Sequence, residues 1–257
     1  MEAIVSTSEV SLDGKVRRRG GRRYRHEAPA RLYWPLTGVF PAGISVMKTP
    51  QSGLDELESF QKPDGTWHEV ASLPLTEPPV SSVETSLRFL NEWERNWTER
   101  HGRWCKTAEY VTYGELCDED RPYASEMKED GSWEEDSDTE FLNRCCSQGR
   151  PMHWRGLSIR VDASTEKGFV TVYDYVSAVH PWLMSLREHL IEAKLDDPEC
   201  ACCVPEEAHA STWIVNAGYA PTIDIEIESQ WLERFQPPLP ISPERIKRLR
   251  ATRRLFD

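Results

Sequence analysis

Residues 156–194, GLSIRVDASTEKGFVTVYDYVSAVHPWLMSLREHLIEAK, decide the fold. Leu157, Ile159 and Val161 alternate with Ser158 and Arg160, the period-two pattern of a strand with one buried face. Asp162 to Gly168 is a polar, glycine-ended turn. Thr171 and Asp174 stand three apart, a short-chain version of the capping box, so a helix begins near Val172. Val172, Val176, Val179 and Leu183 give it one apolar stripe. Pro181 lacks a backbone donor and disfavours helical geometry at His180, which predicts a kink or break there. A second helix is expected from Pro181 to Lys194, with Leu183, Leu186, Leu190 and Ile191 inward.

The flanks supply partners for this strand–turn–helix unit. Downstream, Thr212–Val215 and Thr222–Ile227 read as strands joined across Gly218 and Pro221, an expected antiparallel pair. Ser229 is expected to cap a short helix through Phe235. Upstream, Ser81–Trp104 reads as a helix: Ser81 and Glu84 have capping-box spacing, and Val83, Leu87, Leu90, Trp93 and Trp97 form a stripe. Tryptophans at helical spacing are core far more often than a stacking platform. Arg31–Met47 suits short extended segments over a core. Residues 48–80 read as a long connection, with a helical turn or two over Leu54–Phe60. Glu109–Cys117 is a short strand or a loop, and Glu140–Ser147 a short helix. The expected fold class is α+β, a small mostly antiparallel sheet packed by helices, over residues 31–236. Outside it lie a disordered basic arm (1–30) and a linker with a basic helix (237–257), and an acidic loop interrupts it at 118–140.

The chain of 257 residues is long enough to bury a sizeable core, and its ten tryptophans argue against wholesale disorder. Its net charge of −12 opposes nucleic acid and anionic membranes, but the charge is uneven. Lys15–Arg31 holds eight basic residues and one acid, whereas Asp118–Glu140 holds eleven acids and two bases. Arg17, Arg18, Arg19, Arg22, Arg23 and Arg25 read as a targeting or nucleic-acid-binding arm, or as a solvated tail lying on the acidic loop. No apolar run approaches a membrane span, and the N-terminus does not read as a signal peptide. The seven cysteines, an odd number, are then expected to be reduced thiols in a cytoplasmic or nuclear, not secreted, protein.

The pattern LSIRV, a glycine-containing turn and then TVYDYVSAVH from Thr171 to His180 resembles an uncharacterised domain of unknown function found in fungal proteins. The likeness extends over residues 154–235 at most and is specific over about twenty-five of them. It implies an intracellular fungal α+β module and carries no activity with it.

The sequence lacks G-x-S-x-G, H-E-x-x-H, the phosphate-binding loop and the dinucleotide fingerprint, which marks down the enzymes built on them. Cys200, Cys202, Cys203 and His209 form a candidate zinc site, with His189 near in sequence and Cys145–Cys146 as further ligands if the fold brings them close. Redox-sensitive thiols and ordinary unpaired cysteines compete with that reading. His180 is the best lone acid–base candidate, but a core position for it and a cap for Asp174 are preferred. Asp224, Glu226 and Glu228 read as a solvated strand face. The expected function is a non-enzymatic interaction module contacting a protein or nucleic acid through charged segments. The alternatives are a small-molecule enzyme or binding protein, and a zinc-stabilised module.

Overall fold

The computed structural model describes residues 27–102, 105–124, 130, 140–164, 167–197, 205–218 and 222–235. Along the chain these form α1 (Glu27–Ala30), β1 (Leu32–Tyr33), β2 (Ser45–Val46), β3 (Glu58–Ser59), β4 (Ser82–Ser86), α2 (Arg88–His101), β5 (Glu109–Thr112), α3 (Arg121–Ala124) and β6 (Glu140–Cys145). There follow β7 (Gln148–Gly149), β8 (Ser158–Asp162), α4 (Val172–Ser185), α5 (Arg187–Leu195), α6 (Pro205–Ala210), β9 (Trp213–Asn216), β10 (Asp224–Ile227) and α7 (Glu228–Glu233). The architecture is α+β. Its strands divide among four small antiparallel sheets: β1-β2-β3, β4-β8, β5-β6-β7 and β9-β10. A parallel bridge from Leu87 to Ile223 and an antiparallel one from Pro35 to Ile214 tie three of them together.

The unit β8–α4 stands at the centre. Thr171 Oγ1 accepts from the Asp174 backbone N–H, and the Asp174 carboxylate accepts from the Thr171 N–H, closing the expected capping box. Val172, Tyr175, Val176, Val179, His180 and Leu183 are then buried to 1% exposure or less. Each fully buried apolar side chain contributes about 1.5–3 kcal/mol, so α4 is held mainly by its packing. That explains the first departure from expectation. The helix passes through Pro181 without a break and ends only at Leu186. Pro181 is exposed, while Val179, His180 and Leu183 around it are locked into the core, so packing outweighs the missing hydrogen bond.

Two segments read as helix are strands. Residues 82–86 pair with β8, Val83 opposite Val161, and Glu84 accepts a hydrogen bond from Ser158 across the pair instead of closing a cap. Val83, Thr85 and Leu87 are buried while Glu84 and Ser86 are exposed, so period two governs as far as Leu87 and α2 begins at Arg88. Likewise Glu140–Cys145 is β6, paired with β5 and β7. Cys146 and Ser147 form its turn with φ of 51° and 65°, the left-handed values of a type I′ hairpin.

Smaller corrections concern boundaries. Glu27–Ala30, expected within the arm, is a helical turn with Ala28 and Pro29 buried. Residues 48–80 are more than a connection, because Phe60, Val70 and Leu75 are wholly buried. Ile227, not Ser229, occupies the N-cap of α7. Glu226 is held by Arg234, Asp224 by Lys194, and Glu228 by the Tyr33 hydroxyl, so these carboxylates are paired rather than a bare solvated face. The acidic stretch is described only at residues 118–124, 130 and 140. The arginines of the arm and the C-terminal helix lie outside the described residues.

Candidate functional site

Helix α2 sets Trp93, Trp97 and His101 at four-residue steps on one face, with Arg100 beside them. Facing them are the segment from Gln148 to Trp154 and residues of α5 and α6, and between these elements lies a cleft of about 670 Å³. Four of the seven histidines line it: His101, His153, His189 and His209.

One wall is built of rings. Trp93 and Trp154 lie 6.1 Å apart between centroids, and Trp154 and His189 only 4.4 Å. Trp93 is fixed by a 2.8 Å bond from its Nε1 to Asp196, whose other oxygen is held at 3.2 Å by Arg100. Trp154 and His189 are both half-buried, so part of their ring surface remains open to the cleft. The Trp97 Nε1–H is buried and makes no hydrogen bond among the described residues. As expected of the stripe, Trp93 and Trp97 are core by area, yet each also lines the cleft.

The charges around this wall are committed to one another. Arg150 reaches the buried Glu94 with two nitrogens at 2.9 Å, and Arg155 takes its other oxygen at 2.7 Å. Burial lowers the Arg150 guanidinium from its usual pKa, and the Glu94 charge opposes that shift. His153 Nε2 lies 3.1 Å from Asp120, and His189 Nδ1 lies 3.7 Å from Glu192, beyond hydrogen-bond reach.

At the edge of the cleft His101 meets two thiols, with a third beside them. The donor atoms of His101, Cys145 and Cys146 lie within 4.8 Å of one another. Cys105 Sγ is 3.2 Å from Cys146 Sγ, and Cys145 Sγ is 3.7 Å from it. Successive side chains on a strand diverge, so Cys145 and Cys146 come together only because Cys146 is left-handed. Hydrogen bonds, from Cys145 first and then Thr107, hold the Cys105 thiol down at about 6. Burial first, then donation toward Cys105 and Cys146, pushes Cys145 up to about 12.

Of the residues singled out from sequence, Cys200, Cys202 and Cys203 lie outside the described residues. His209, on α6, and His189 line the cleft but are not in the thiol cluster. Cys145 and Cys146 are at the cluster's centre, with partners His101 and Cys105 that the sequence reading passed over. Their signal was His101-x-x-x-Cys105, the spacing of half a zinc site. His180 is a core residue: its Nδ1 accepts from Trp34 Nε1 at 2.9 Å and its Nε2 faces the Gly38 carbonyl at 3.3 Å. Compared with protein-family models, curated proteins and solved structures, the chain gives no match.

Proposed function

We propose that the chain is a non-enzymatic binding module whose recognition site is this cleft, and that its occupant is an arginine-bearing segment of a partner protein. The ring wall of Trp154 and His189, backed by the buried Trp93, carries the reading. Arg100 is already paired with Asp196 and Arg150 with Glu94, which leaves the π surface as a contact open to a partner. A planar guanidinium stacks on such rings, and a net charge of −12 attracts a basic partner. The thiols of Cys105, Cys117, Cys145 and Cys146 are free, which supports the reducing cytoplasm or nucleus as the site of action. No helix among the described residues is long and apolar enough to cross a membrane.

The test is a fluorescence titration with an arginine-rich peptide, the same peptide with glutamine for arginine, and a single-stranded RNA. The expected result is binding of the first alone, weakened about tenfold by Trp154→Ala, the loss of one stacked cation. Preferential binding of the RNA, or equal binding of both peptides, would overturn the reading.

A further inference from the structure

We infer that His101, Cys105, Cys145 and Cys146 together hold one zinc ion that fastens the end of α2 to the β6–β7 hairpin. This inference rests on different residues from the cleft reading and stands without it.

Tetrahedral zinc with thiolate and imidazole ligands at about 2.1–2.3 Å needs donor atoms roughly 3.8 Å apart. The Cys145–Cys146 separation of 3.7 Å meets that, the Cys105–Cys146 separation of 3.2 Å is within reach of it, and the His101 donor atom lies within 4.8 Å of both Cys145 and Cys146. Three soft sulfurs with one imidazole suit zinc and disfavour magnesium, calcium and manganese. Two side chains come from the end of α2 and the residues just after it, and two from a hairpin about forty residues on, so chain proximity does not explain the convergence.

Two further features fit a structural ion. Cys146 and Ser147 occupy left-handed backbone without being glycine or asparagine, at a cost of roughly 1–2 kcal/mol each. A metal bond to Cys146 gives that geometry a reason. The sheet β5-β6-β7 also has a thin core of its own, in which Tyr113, Leu116, Phe141 and Met152 are the buried cluster. Substructures with so little apolar burial are commonly stapled by a disulfide or a metal. Cys145, wholly buried on the main core, would anchor the ion, with His101 half-buried at the cleft side.

The experiment is metal analysis and native mass spectrometry of the full chain purified under reducing conditions, followed by exchange with Co²⁺. One zinc per chain is expected, with the absorption of a tetrahedral thiolate site after cobalt exchange. Cys105→Ser and Cys146→Ser should each reduce zinc to well below one per chain. Cys117→Ser should keep it, and so should a variant with Cys200, Cys202 and Cys203 all replaced by serine. Because a ligand variant can lose zinc simply by unfolding, the cobalt spectrum of the unmodified chain is the second, independent readout. A metal-free chain that takes up no cobalt would overturn the inference. So would retention of full zinc by both ligand variants, or its loss in the Cys200–Cys203 variant alone.

Discussion

His180 shows how a residue suggestive of chemistry is explained by its neighbours. Its Nδ1 must be unprotonated to accept the Trp34 N–H, and its Nε2 carries the hydrogen that faces Gly38. Burial lowers its pKa from 6.5, opposed by the Gly38 carbonyl. The sign follows. Above about 6.5 the ring is neutral in both states and the full stability is present. As pH falls through that value the unfolded chain takes up a proton that the folded ring resists, and stability is lost until the lowered folded pKa is reached. His180→Phe should cost about 1–3 kcal/mol at neutral pH by stranding the Trp34 N–H. It should also flatten the acid-side decline in urea midpoints, whereas curves parallel to the parent would contradict this account. The buried position was legible in sequence, because His180 follows Val172, Val176 and Val179 on a helix face. The thiol cluster was only half legible. The paired cysteines are conspicuous, but their partners are about forty residues away and only the fold brings them together.

Among the elements, β8 and α4 were readable because their signals are local: alternation in one, a capping box in the other. Residues 81–87 were misread because Ser81, Val83, Glu84 and Leu87 satisfy helical and strand spacing at once. The deciding partner, β8, lies far along the chain. The same ambiguity affected β6, whose pairing with β5 and β7 no local pattern records. Pro181 is the converse case, a breaker overridden by burial. Pro181→Ala should therefore stabilise the protein. It restores a donor to the Ser177 carbonyl, worth up to about 3 kcal/mol, less the roughly 0.4–1 kcal/mol by which proline restrains the unfolded chain. A rise of about 2 kcal/mol in unfolding free energy is expected. A fall would mean that α4 depends on the proline ring itself.

At the scale of the whole molecule, all four small sheets contribute to one main core that runs from Ala28 to Ile227, with two smaller clusters beside it. The cleft lies where α2, α5 and the segment after β7 meet, so its ring wall is a product of tertiary packing rather than of any one motif. The tryptophan indoles sample this arrangement: Trp154 on the open wall, Trp97 with an unused N–H beside it, Trp34 and Trp213 wholly buried and already hydrogen-bonded. The most direct measurement is a ¹⁵N–¹H spectrum of the indole groups during titration with an arginine-rich peptide. Saturable shifts at Trp154 and Trp97, with Trp34 and Trp213 unmoved, are the expected result. Binding that leaves the Trp154 and Trp97 signals in place would contradict the cleft as the recognition site.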